Sequence, residues 1–344
     1  MIYRGFSFFM VLSFYSLSAQ IIDKVEIKTI LNANAGYRAL EALNDSTVAF
    51  ANSNGEVGEI ALSGKTRYYK IDLPKDSSNH FRAIASTSNY LFALNIESPA
   101  RLYKFDKQRY NQLGKVVFLD NNPKAFYDAM YFLDDKNGIA MGDPTDDCLT
   151  IITTIDGGTT WQKTDCKNLP KIEPGEAAFA ASNTNIASSG KNIWIATGGL
   201  KSRVFHSANR GKTWNVCVTP FIQGKPTTGI YSMAFYNSKI GIICGGDYTD
   251  KSANLNNKAI TNNGGKTWKI VANNVLPGYI SCVQFVPNSN GKSLIAVGTE
   301  GIYLTRNGGN NWTEISTEGF YSIQIVNEHT AFLGGQGRIA TLKF

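Results

Sequence analysis

Carboxylates, arginines and tyrosines at recurring positions are the residues of this chain with chemistry to offer. Asp128, Asp143 and Glu176 could supply the acid and base of glycoside cleavage, which needs two carboxyl groups at a set separation, one of them holding its proton tightly. Arg38, Arg82 and Arg203 add guanidiniums to the same set, which either meets a ligand or pairs with the carboxylates as a salt-bridged channel lining. Tyr231 and Asp247 add a phenol and a further carboxylate. The run Gly142-Asp143-Pro144-Thr145-Asp146-Asp147 is acidic enough to attract a hard cation. It lacks the Gly and closing Glu of an EF-hand loop and reads as a plain acidic loop. A zinc site is not expected, since no CxxC occurs and His80, His206 and His329 are far apart in the chain. Neither G-x-G-x-x-G at a strand-to-helix turn nor G-x-S-x-G is present, so neither a cofactor nor a serine nucleophile is predicted.

Gathering such residues around one opening requires a repeating scaffold, and the chain contains one. Thr154-Ile-Asp156-Gly-Gly-Thr-Thr-Trp161 recurs as Ser207-Ala-Asn209-Arg-Gly-Lys-Thr-Trp214, Thr261-Asn-Asn263-Gly-Gly-Lys-Thr-Trp268 and Thr305-Arg-Asn307-Gly-Gly-Asn-Asn-Trp312. The tryptophans are spaced by 53, 54 and 44 residues, which suits one four-stranded sheet per repeat. The Asp or Asn side chain can bond amides across a turn, Gly accepts positive φ, and Trp covers the hairpin. Two further repeats without a good box precede these four, and a last one begins at Phe320, giving seven in all. That last repeat has only three strands, whereas Val25 to Leu31 is a spare strand. The spare strand is expected to pair with Gly337 to Phe344 and close the ring. Aligning the inner strands on their apolar pattern brings Arg38, Arg82, Asp128, Tyr231, Ser281 and Tyr321 to equivalent entry positions. Glu176 opens the fourth inner strand, placed at Gly175 to Thr184. Asp143, Arg203 and Asp247 fall on loops reaching the same face, so the whole set is predicted to form a polar ligand site at one mouth of the channel.

The box S/T-x-D/N-x-G-x-T/N-W resembles the Asp-box of the BNR-repeat propellers, a group that includes sialidases, sortilin-type receptors and photosystem II assembly-factor-like proteins. The resemblance covers residues 20–344 and is best to the seven-bladed assembly-factor-like members. It implies an all-β, seven-bladed β-propeller that binds protein partners as a scaffold. It also implies a structural role for Asp156, Trp161, Asn209, Trp214, Asn263, Trp268, Asn307 and Trp312 at the outer hairpins. Phe81-Arg82-Ala83-Ile84 lacks the Pro of the arginine motif of sialidases, so their chemistry is not expected.

Composition agrees with an all-β chain. Of 344 residues 43% are hydrophobic and only 18% charged, with 32 Gly, a balance that favours short strands and turns over amphipathic helices. The net charge of +7 is spread along the chain without a basic run, so nucleic acid is not an expected partner. Residues 1–19 read as a signal peptide, with Arg4 followed by an apolar stretch too short to span a bilayer and small residues up to Ala19. An exported monomer that does not span a membrane is predicted, periplasmic or extracellular, with the single propeller at 20–344. Of the five cysteines, Cys148 and Cys166 lie nine residues either side of Gly157 at a box turn and are expected to form a disulfide. Cys217, Cys244 and Cys282 are expected to be buried. The function read from the sequence is a non-catalytic binding or assembly propeller for a protein partner or glycan. The alternative is a carbohydrate-active hydrolase or lyase using the carboxylates of the same face.

Overall fold

The structure, a computed structural model, describes residues 25–74 and 79–344; the expected leader at 1–19 lies outside them. Short apolar strands separated by Gly, Asn and Asp turns build a seven-bladed β-propeller of four-stranded antiparallel blades. The inner strands are Ala39–Asn44, Phe81–Ser86, Tyr127–Phe132, Ile186–Ser189, Thr228–Phe235, Cys282–Phe285 and Ser322–Asn327. Each blade is apolar on both faces, and its side chains pack against the blades on either side. Phe92 and Leu94 of the second blade thus meet Met130 and Ile152 of the third, and Trp194 of the fourth meets Met233 and Ile243 of the fifth.

Glu26–Gly36 pairs antiparallel with Gln336–Lys343, from Glu26 opposite Lys343 to Gly36 opposite Gln336. The first strand of the sequence is therefore the outer strand of the last blade. It runs five residues beyond the expected Leu31, with register shifts after Thr29 and Asn32.

The four outer turns share one hydrogen-bond pattern. Thr154, Ser207, Thr261 and Thr305 each donate a hydroxyl to the Asp or Asn two residues on, at 2.8–3.0 Å. The same hydroxyls accept from the amides of Gly158, Gly211, Gly265 and Gly309. Asp156 also accepts from the amides of Thr159 and Thr160, and these bonds hold its carboxyl at about 2, below the usual range. Trp161 and Trp268 are buried over their turns, while Trp214 and Trp312 are half-buried and donate to the carbonyls of Gly211 and Gly309.

Cys148 and Cys166 form a disulfide with their Cα atoms 5.5 Å apart. The geometry differs from a simple ladder pair. Ile152 faces Lys163 and Thr153 faces Gln162, a register that would set Cys148 opposite Lys167. The strands have already parted there, and Cys166 reaches the bridge from a short 3-10 turn, Cys166–Asn168. Cys244 and Cys282 are buried, but Cys217 is only half-buried because it sits on an outer strand, with its thiol directed at the carbonyl of Lys266. No helix among the described residues is long and apolar enough to cross a membrane.

The fourth blade departs most from expectation. Its inner strand is Ile186–Ser189, and residues 177–184, expected within that strand, run instead across the channel. Glu176–Ala177 pairs with Gly198–Gly199, and Gly198 in turn faces Gly229 of the fifth blade. The backbones approach so closely that a Cβ on Gly198 would lie 2.8 Å from the Gly229 Cα and 2.4 Å from the Phe179 ring.

Candidate functional site

Three inner strands carry a register shift at the entry position. On the second blade it falls between Phe81 and Ala83, on the third between Tyr127 and Ala129, and on the fifth between Ile230 and Ser232. The extra residues are Arg82, Asp128 and Tyr231, and a bulge of this kind re-aims a side chain relative to the ladder. On the third and fifth blades room for the displaced backbone comes from a glycine of the second strand, and the sixth blade has the same glycine without a shift. A Cβ on Gly142, Gly245 or Gly298 would come within 2.1, 2.0 and 2.3 Å of the carbonyl oxygens of Phe126, Gly229 and Tyr279. The glycines that end the second strands thus permit the inner strands to turn at the mouth.

Residues 177–184 form a strap below that mouth, tied to five other blades. Arg38 and Arg82, from the first and second blades, donate Nη1 to the carbonyls of Ala181 and Ala180, both at 3.1 Å. Asn183 donates to Ile84 O at 2.7 Å and accepts from Met130 N at 2.9 Å. Ser182 donates to Ser281 O at 2.6 Å on the sixth blade, Thr184 meets the Ser232 hydroxyl at 2.7 Å on the fifth, and Ala178 N donates to Asp143 at 2.8 Å on the third. Small side chains let this segment pass through the channel centre.

Above the strap is a cavity of about 610 Å³, bordered by Arg38, Arg82, Asp143, Tyr231, Tyr279 and Tyr321. Phe126, Phe179, Tyr248 and Lys251 complete it. Phe179 stacks on Tyr231 with ring centroids 4.0 Å apart, and Tyr279 meets Tyr231 edge-on at 5.0 Å. Arg38 lies over the Tyr321 ring, 3.7 Å from its centroid. Neither Arg38 nor Arg82 makes an ion pair among the described residues. Burial and the neighbouring Arg38 lower the Arg82 guanidinium to about 10. Burial and the same two arginines depress His80 to about 4, so a neutral His80 accepts from Arg82 Nε at 3.2 Å. Two partly desolvated cations thus face one apolar-walled space, an arrangement suited to an anion.

The structure separates the remaining site residues of the sequence reading. Asp128 is fully buried, its carboxyl oxygens have no hydrogen-bond partner, and burial followed by the nearby Asp143 pushes its pKa well up. Asp143 reaches the cavity, and burial raises it to about 6. Glu176 and Arg203 are paired with each other: Arg203 Nε lies 3.0 Å from both carboxylate oxygens, and the pair is buried outside the lining of this cavity. Asp247 is buried, accepts from Thr249 N at 2.9 Å and faces Lys225 at 3.5 Å. Asp143, Asp146, Asp147 and Glu176 together border a second, open depression with Lys171 and Glu173.

Phe126, Phe179, Tyr279 and Lys251 were missed in the sequence. Phe126 and Tyr279 each stand two residues before an aligned entry position, at Asp128 and Ser281, and that offset was a usable signal. Phe179 was hidden by the misplaced inner strand.

No family model matches the chain, and no curated protein matches it in sequence. Solved structures match it in fold. YCF48 bound to a D1 peptide superposes with a TM-score of 0.64 at 13% identity, over 93% of this chain and 97% of that one. U3-55K does so with 0.65 at 12%, over 92% and 98%. A catalytically inactive virginiamycin B lyase from Staphylococcus aureus, solved with quinupristin, gives 0.66 at 12%, over 93% and 99%. At these identities the likeness is one of fold alone, and the chain is a propeller similar in fold to one solved with a peptide and to one solved with quinupristin.

Proposed function

We propose that this chain is an exported, monomeric, non-catalytic propeller of the Asp-box type that binds a peptide segment of a protein partner. The segment lies in the cavity above the strap and presents a carboxylate to Arg38 and Arg82. The observation that carries this reading is the pair of half-buried guanidiniums without an ion-pair partner, set among Tyr231, Tyr279, Tyr321 and Phe179. The aromatic walls favour a chain with side chains over a bare inorganic anion. YCF48 has been solved with a peptide bound, which supports the class of ligand. The repeated outer turns support the Asp-box assignment, and a disulfide is compatible with export.

The hydrolase reading is weaker for a geometric reason. Glycoside cleavage needs two carboxyl groups at the substrate. Of the three named, Asp128 is sealed in the interior and only Asp143 borders the upper cavity; Glu176 shares the outer depression with Asp143, but its carboxylate is held by Arg203.

The test is fluorescence polarisation with a library of labelled peptides, each offered with a free and an amidated C-terminus or with Asp and Glu replaced by their amides. Carboxylate-bearing peptides are expected to bind, and Arg82→Gln should weaken them at least tenfold. Equal binding of the amidated forms, or unchanged binding by Arg82→Gln, would overturn the reading.

A further inference from the structure

The channel has a second mouth, at the opposite ends of the inner strands, and its lining is ordered by the strand register. The residue three places after the entry positions of six blades comes to this level, and Ala187 holds the matching register on the fourth: Glu41, Ala85, Tyr131, Ala187, Ala234, Gln284 and Gln324 on blades one to seven. These residues pair with Ala49, Phe92, Ile139, Trp194, Ile242, Ile295 and Phe332 of the second strands. All but Ala85 border a cavity of about 270 Å³, remote in the fold from the arginine pair. Tyr131, Ser188 and the strap residues Asn183 and Thr184 also line it, and Asn183 and Thr184 are already hydrogen-bonded to neighbouring blades. Gln284, Gln324 and Glu41 stand on three successive blades, whereas Ala187 and Ala234 stand on the other side.

The backbone fixes which end of each amide is left for a ligand. Gln284 accepts from Ile325 N at 2.9 Å through Oε1, so its Nε2 remains a donor. Gln324 donates Nε2 to Leu40 O at 2.9 Å, so its Oε1 remains an acceptor. Glu41 accepts from the Ser86 hydroxyl at 3.3 Å and makes no ion pair among the described residues. No other charged side chain borders the cavity. The arc therefore presents one carboxylate and one amide oxygen, both acceptors, followed by one amide donor.

We propose that this second mouth binds a small amine with an oxygen on the neighbouring carbon atoms, as in an amino alcohol or the amino end of a peptide. The ammonium donates to the Glu41 carboxylate and to Gln324 Oε1, and the ligand oxygen accepts from Gln284 Nε2. The carbon skeleton lies toward Ala187 and Ala234, where small side chains leave the space open. Burial raises the half-buried Glu41 to about 7 while Lys107 acts the other way from outside the cavity, and an ammonium hydrogen-bonded to the carboxylate would favour its charged form further. An anion would find no cation here, and a purely apolar ligand would strand three polar groups.

The test is ligand-observed NMR and calorimetric titration of the full-length protein at pH 8 with ethanolamine and with glycinamide. Ethylene glycol and N-acetylglycinamide serve as the neutral controls. Binding of one or both amines is expected, ethanolamine alone favouring a free amino alcohol and glycinamide a peptide amino end. The neutral controls should bind at least tenfold more weakly. Glu41→Gln should lose at least tenfold in affinity, and Ala234→Leu, which keeps the carboxylate but fills the cavity, should lose as much. Failure of the wild type to bind either amine at 10-fold molar excess over millimolar protein, equal binding of the neutral controls, or retention of binding in Ala234→Leu would overturn the proposal.

Discussion

Arg82 donates to the carbonyl oxygen of Ala180 at 3.1 Å, joining the second blade to a strap 98 residues away in sequence. The same guanidinium borders the ligand cavity, so the group that would meet a ligand also holds the floor beneath it. Floor and wall are therefore one hydrogen-bonded unit.

The strap should behave as part of that unit. Asn183→Ala removes the bonds to Ile84 O and Met130 N and places Ala at a φ of 62°, which Asn tolerates better. Two lost hydrogen bonds that leave buried backbone groups unpaired cost about 2–4 kcal/mol. Denaturant unfolding should show that loss, and polarisation assays should show weaker peptide binding although Asn183 does not border the upper cavity.

Asp128 and Asp143 should make the protein less stable as pH rises. Both have folded-state pKa values above the ordinary 3.8, Asp143 reaching about 6 and Asp128 lying well above the ordinary value. Acids shifted this way hold their protons more tightly when folded, so their effect is absent below pH 4 and stability is lost through the folded pKa. For Asp143 alone the full loss, complete only above pH 6, is roughly 3 kcal/mol. Asp128→Asn, which copies the neutral carboxyl, should melt with the wild type at pH 4 and above it at pH 8. A variant less stable than wild type at pH 8 would show that the charged carboxylate is used.

The disulfide should be worth about 3 kcal/mol in the chain-entropy view, since it ties residues 18 apart. Cys148→Ser should lower stability by that order in denaturant titrations. Thiol counting on the unfolded, unreduced protein should find Cys217, Cys244 and Cys282, and five reactive thiols would refute the bridge.

Removing residues 20–31 should destabilise the whole ring, because it strips the partner from much of Gln336–Lys343 and exposes Ile339 and Leu342 at a free strand edge. Calorimetry should show a lower melting temperature for the entire transition. Unchanged melting would mean that the first strand is dispensable.

Much of this architecture was legible because it rests on short-range rules. The Thr154–Trp161 type of turn announces an outer hairpin by its own hydrogen bonds, and an apolar strand ending at Gly142 or Gly298 announces the inner mouth. Arg82, Asp128 and Tyr231 were found together because a repeated pattern carries a repeated bulge. The strap was not legible. Ala177 to Thr184 has the small and β-compatible residues of a strand, and what excludes it from the sheet is the neighbouring hairpin. The turn at Gly190 requires Ile186–Ser189 to pair with Asn192–Ile195. The Glu176–Arg203 pair was hidden for the same reason, since which opposite charges meet is decided by the path of the strap.

The pairing of Glu26–Gly36 with Gln336–Lys343 also orders events in time. The contact from Glu26 to Lys343 spans 317 residues, so during synthesis or passage across a membrane the first strand emerges long before its partner. Until then its amides and carbonyls have no ladder to join, while the blades between can fold on local contacts. The last blade is thus assembled from an earlier and a later part of the chain, and until they meet, the edge of each is open to pairing with some other strand.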